Sequence, residues 1–174
     1  KYAEVLSQVL RVDVEIVDDR LYRIAGTGMF ANRLSDNMAE EGYIYKEVMR
    51  SGERQIVMEP GNHPICRFCP KQHNCEETFE ISMPIKMYDE VIGVIGLICF
   101  TEEQRAHILN NLDIYTEFLE QISDLIASKA REGLEVRKMK NLIEVLSSTI
   151  EKIQQGVLIV NEKNKINNIN NTAN

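Results

Sequence analysis

The chain has 174 residues, 44% hydrophobic and 27% charged, which is enough for one domain with a real core plus additional helix. Its net charge of −7 and sequence pI of about 5.1 leave no basic footprint for nucleic acid or for an anionic membrane surface. The longest strongly apolar run, residues 91–100, is too short for a membrane span, and the N-terminus has neither the apolar stretch nor the small-residue cleavage site of a signal peptide.

Residues 1–10 place Val5, Val9 and Leu10 at near-helical spacing and predict a short helix. Residues 12–17 alternate as a strand does, Asp18-Asp19-Arg20 turns the chain, and residues 21–25 return as the second arm of a hairpin ending in Gly26-Thr27-Gly28. Residues 29–41 read as short helix and loop. A helix follows over residues 42–50, stopped by Ser51-Gly52, and then a third strand over residues 55–58. Residues 78–88 alternate again, with Pro84 marking an edge or a bulge. Asp89-Glu90 turns the chain into residues 91–100, a strand apolar on both faces whose two glycines permit close packing.

Thr101 is an N-cap, with Glu102, Glu103 and Gln104 in the first helical turn. Ile108, Leu112, Tyr115, Leu119, Ile122 and Ile126 form a heptad seam, and a second seam runs through Met139, Leu142, Leu146, Ile150 and Ile153. Either one signalling helix runs from Glu102 to Gln155 and pairs in a parallel homodimer, or two bundle helices break at Gly133. The dimer is the preferred expectation. Residues 156–160 and 166–170 predict a final hairpin in an Asn-rich end.

Between the third strand and the next hairpin lies a loop, residues 60–78, with the sequence PGNHPICRFCPKQHNC at its start. Its cysteines, Cys66, Cys69 and Cys75, are spaced C-x2-C-x5-C, and the fourth cysteine, Cys99, stands in the apolar strand 91–100. In a chain without secretion signals this spacing points to a metal site or redox thiols rather than to disulfides, and to the cytoplasm. Four thiolates suit a 4Fe-4S cluster or zinc, with His63 or His73 as the alternative fourth ligand. The iron–sulfur cluster is the first expectation, zinc the second, and metal-free thiols the third. Cys99 reads equally well as a small core residue. Arg23, Lys86 and Tyr88 could line a ligand pocket, although a solvated surface is the simpler reading of each. His107 lacks the neighbours of a phosphoacceptor histidine.

The segments VEIVD (residues 14–18) and RIAGTG (23–28), with MPI (83–85) leading to VIGVIGL (91–97), resemble a GAF domain, the small-ligand sensor fold of many bacterial regulators. The end, IQQGVLIVN (153–161) through Ile166 to Asn171-Thr172-Ala173, resembles the opening of a PAS domain. Joined to the motif HPICRFCP (63–70), the combination is similar to the N-terminal sensory region of sigma-54-dependent transcriptional activators. The resemblance implies an α+β fold, with a GAF-like antiparallel sheet flanked by helices, a long C-terminal signalling helix forming a coiled coil, and a truncated PAS-like hairpin. It implies a GAF-like sensor over residues 1–130, a linker helix over 131–155 and the start of a PAS-like domain over 156–174. The implied function is regulatory and not enzymatic. Redox state or a small-molecule effector would be sensed through the cysteine-liganded metal and passed to the dimeric helix. The alternative is a small-ligand-binding module with structural zinc in a histidine kinase or other signalling protein, and a thiol-based reductase is the remaining one. No G-x-x-x-x-G-K-[ST] loop occurs, so neither ATP hydrolysis nor DNA contact is expected of this chain, which starts at Lys1 and reads as an excised piece.

Overall fold

Alternation and turn chemistry build a central antiparallel sheet. A computed structural model describes residues 2–173; Lys1, included in the first predicted helix, lies outside the described residues. The elements are α1 (Tyr2–Leu10), β1 (Asp13–Asp18), β2 (Arg23–Gly26), α2 (Tyr43–Ser51), β3 (Gln55–Val57), β4 (Phe79–Met87), β5 (Glu90–Cys99), α3 (Glu102–Leu109), α4 (Leu112–Glu151), β6 (Leu158–Val160) and β7 (Ile166–Ile169). Short 3-10 turns at Gly28–Phe30 and Pro64–Cys66 interrupt the two long loops. The chain divides into two compact units, Lys1–Lys129 and Ala130–Asn174.

In the first unit five strands pair antiparallel in the order β2-β1-β5-β4-β3. The register aligns Val14 with Leu97 and Ile81, and Ile16 with Ile95 and Met83. These rows face α1 and the helical C-terminal part of the unit, and with Leu6, Leu10, Ile108 and Leu119 they form the main core. The intervening row aligns Glu15 with Gly96 and Ser82 on the other face. There α2 covers the sheet. Its Tyr45 hydroxyl comes so close to Gly96 that a Cβ at that position would stand 2.7 Å from it, which is why a glycine sits there. Gly52, at φ 67°, ends α2 in the left-handed cap conformation. Pro84 lies beyond the end of β3, whose pairing with β4 stops opposite Ser82, so no ladder bond is lost there; the ladder with β5 shifts register next to it, between Ile85 and Lys86.

Thr101 caps α3 in a full capping box with Gln104. The helical stretch that follows matches neither expectation. It breaks at Asn110-Asn111, and α4 then continues through Gly133 to Glu151. The side chains explain the order of events: Ile108 is fully buried at the end of α3, and the next buried positions, Thr116 and Leu119, resume only after the chain has turned. In the second unit β6 and β7 pair as a hairpin. Among the described residues no helix is long and apolar enough to cross a membrane.

Candidate functional site

The face of the sheet covered by α2 carries polar residues that a surface strand would give to water. Glu15 on β1 and Glu80 on β4 are 2% and 3% exposed. Both sit on strands whose other face is apolar core, and α2 together with the loop 60–78 closes over them. The enclosed cavity is about 50 Å3 and is lined by Glu15, Tyr45, Glu77 and Glu80 inside and by Arg33, Glu41 and Lys71 nearer the surface, with apolar wall from Phe30, Met38 and Ile44. A space of that size holds a few waters, so a larger ligand must displace part of the loop.

Arg23 organises the inner wall, and the surface reading of this residue is corrected: its side chain has no exposure. Its Nε donates to Glu15 Oε1 at 2.5 Å, one terminal nitrogen donates to the Arg33 carbonyl at 2.8 Å, and the other reaches the Met38 sulfur at 2.7 Å. The guanidinium also lies 5.2 Å from the centre of the Phe30 ring. Tyr45 donates its hydroxyl to Glu15 Oε2 at 2.8 Å. Burial nonetheless holds Glu15 above the ordinary carboxylate range, outweighing the pull of Arg23 and Tyr45. Glu80 is pushed well up by burial and by the neighbouring Glu77, and Glu77 is raised by burial and by Glu15. At the mouth Lys71 donates to Glu41 at 2.7 Å and holds that carboxyl below its usual range. Lys86 and Tyr88 lie outside this cavity: Lys86 lines a separate surface cleft beside Gly52, and Tyr88 is exposed.

Cys66, Cys69 and Cys75 all line the cavity. They do not form the expected metal centre. Among the described residues no group of three or more His, Cys, Asp or Glu side chains could hold a metal ion, which overturns the 4Fe-4S cluster, the zinc alternative and the metal-mediated sensing built on them. The geometry gives the reason. Cys99 pairs with Phe79 in the ladder and shares the helix-facing side with Leu97, fully buried in the main core, on the opposite face of the sheet from the loop. Cys66 packs with Ile44 and Val57 instead, and the Cys69 sulfur lies 3.7 Å from the Glu41 carbonyl. His63 caps the short turn at Pro64–Cys66 by accepting from the Ile65 N–H, and His73 contacts Asn62 at 3.4 Å, so neither completes a ligand set. Burial pushes the Cys66 thiol up, and takes Cys75 and Cys99 up to about 12. Burial thus disfavours the reactive thiolate at these three positions. All four cysteines are free. His107, on α3, hydrogen-bonds the Tyr115 hydroxyl at 2.8 Å.

An α+β sheet with one helical face and a loop-covered cavity on the other has the architecture of a sensory module. The GAF domain family matches residues 4–128, and the chain belongs to that family. The fold is that of GAF domains. It is similar to the GAF domain of A. aeolicus Nlh2 in an inactive state, at a TM-score of 0.52 and 18% identity over 72% of this chain and 77% of that one. It is also similar to the GAF domain of a phosphoenolpyruvate-protein phosphotransferase from Coxiella burnetii, at a TM-score of 0.53 and 13% identity over 79% and 82%. In sequence the chain is 31% identical, over 99% of its length, to a protein of Escherichia coli (strain K12) provisionally described as the uric acid sigma-54-dependent transcriptional regulator UacR. The match spans 29% of that relative's length.

Proposed function

We propose that this chain is the ligand-sensing region of a sigma-54-dependent transcriptional regulator, and that the cavity beneath the cysteine loop binds a small nitrogen heterocycle of the uric acid type. The observation that carries the reading is the cavity, lined by charged and apolar side chains, between the α2-covered sheet face and the loop 60–78, in a chain similar throughout its length to a regulator named for uric acid. Cys66, Cys69 and Cys75 then serve as lining of the ligand site. The small volume makes binding and loop displacement one event, which gives the two states a sensor requires.

The same reading divides the chain into a sensor over residues 1–130, a linker helix over 131–155 and the start of a PAS-like domain over 156–174. It also makes α4 the output, paired with a second copy in a coiled coil. Support for that pairing is the exposed apolar stripe Val136, Met139, Leu142, Ile143 and Leu146 on α4.

A thermal melt tests the ligand assignment. Uric acid at about a hundred times its Kd should add about 2.7 kcal/mol to the stability of the domain and raise its Tm. No shift with uric acid, together with no heat in calorimetric titration, overturns the assignment.

A further inference from the structure

Charge is shared unevenly within the cavity. Glu15 has Arg23 and Tyr45 as partners, and Glu41 has Lys71 at 2.7 Å and Arg33 at 4.0 Å. Glu77 and Glu80 have no ion-pair partner among the described residues. Glu80 accepts from the Ser82 hydroxyl and lines the cavity beside Glu77, and burial together with the charge of Glu77 holds it well above the ordinary carboxylate range. Position follows the same division. Glu80 is almost wholly buried, whereas the Arg33 and Lys71 side chains are 40% and 48% exposed. The cavity therefore has two carboxyl groups without a cation at its floor and two cations, Arg33 and Lys71, paired with Asp36 and Glu41 at its mouth, with Phe30, Met38 and Ile44 offering apolar surface to a ring.

We infer that Glu77 and Glu80 are the specificity-determining residues of this site, and that they take the N–H-bearing edge of a small planar heterocycle whose opposite, carbonyl-bearing edge faces Arg33 and Lys71. The inference rests on the ligand reading above and adds to it the orientation and the residues that enforce it. Two neighbouring carboxyl groups offer acceptors for ring N–H groups, and a carboxyl that keeps its proton offers an O–H donor for an adjacent carbonyl. A lactam edge, in which N–H and C=O alternate, satisfies both. Any negative charge on the ligand lies on the outer edge, against the two basic side chains. A carboxylate ligand entering the other way meets like charge at the floor, and an apolar ligand leaves the buried Glu80 and the half-buried Glu77 without new partners. An amidinium satisfies the acceptors, but it brings no carbonyl for Arg33 and Lys71.

The test is calorimetric titration of the 174-residue chain with uric acid, its mono-N-methyl derivatives and benzamidine, on the unaltered protein and on Glu80→Leu. Methylation at the inward N–H should weaken binding by about ten- to a hundredfold, because it removes the donor and leaves a buried acceptor unpaired. Glu80→Leu, checked for folding by circular dichroism, should weaken uric acid by a similar factor and cease to distinguish the derivatives. The series on the unaltered protein stands independently if that variant does not fold. Uric acid that binds with no preference over any of its methylated derivatives, or that binds more weakly than benzamidine, overturns the role of the pair while leaving the cavity as the ligand site. Failure of uric acid to bind at all overturns both.

Discussion

Arg23 is the clearest case of a residue whose role depends on what covers it. In the sequence it stands in a short, mixed strand next to a turn, where an arginine is ordinarily solvated. In the fold its charge is buried, and the guanidinium ties β1 through Glu15 to the segment that carries Phe30, Arg33 and Met38. The backbone reinforces the connection, since the Arg23 N–H donates to the Asp36 carbonyl and the Arg23 carbonyl accepts from the Ser35 N–H. Replacing it by methionine keeps much of the volume but leaves Glu15 without its cation. Arg23→Met should cost about 3–5 kcal/mol in urea unfolding, and Glu15→Gln added to it should recover part of that loss. Additive losses in this cycle would mean that the pair does not act as a unit. Cys99 and Glu80 fall under the same rule. Strand parity is readable in the sequence, but β5 is apolar on both faces, so parity alone does not say which face meets the cysteine loop. Glu80 within FEISMPI was the available signal for the site: a carboxylate inside an apolar strand has nowhere to be solvated once both faces are covered.

At the scale of elements, the strands and α2 were legible because alternation, Asp and Gly turns and the Gly52 stop all agree. The helical end was less so. Asn110-Asn111 breaks the helix although the heptad spacing runs across it, and Gly133, which looked like a stop, lies inside α4. A Cβ built on Gly133 meets nothing within 4 Å, so nothing in the packing requires a glycine there. Gly133→Ala should therefore raise the Tm, with a stabilisation of about 0.5–1 kcal/mol from the lost freedom of the unfolded chain and the better helix propensity. A lower Tm, read by circular dichroism at 222 nm, would mean that the position needs the flexibility of glycine. Beyond the helix, the Asn-rich end is ordered by one of its own asparagines. The Asn170 amide donates to the carbonyls of Ile150, Ile153 and Gln155, and its oxygen accepts from the Val157 N–H. It thus satisfies carbonyls at the helix end and holds the β6–β7 hairpin to them. Strand spacing predicts the hairpin, but composition does not reveal which asparagine becomes buried to hold it.

For the molecule as a whole, the buried carboxyl groups set how stability varies with pH. Glu15, Glu77 and Glu80 are all raised above 4.5 in the fold, chiefly by burial. Between that value and their folded pKa values the native state holds more protons than the unfolded state, so stability falls as pH rises. Their contribution is fully present below pH 4.5 and lost as pH climbs through the folded values. Glu41, lowered by Lys71, works in the opposite sense: its contribution is present above 4.5 and lost on acidification, and it is smaller because the group is partly exposed and screened. Glu80→Gln separates the two effects, because an amide keeps the acceptor for Ser82 and a donor toward Glu77 while removing the titration. The Tm of Glu80→Gln should nearly equal that of the parent near pH 4.5 and exceed it by a growing margin toward pH 8, measured by calorimetric melts in matched buffers. Parallel curves across that range would mean that Glu80 carries no raised pKa, and the acidic floor of the cavity would then be ionised and hydrated at neutral pH.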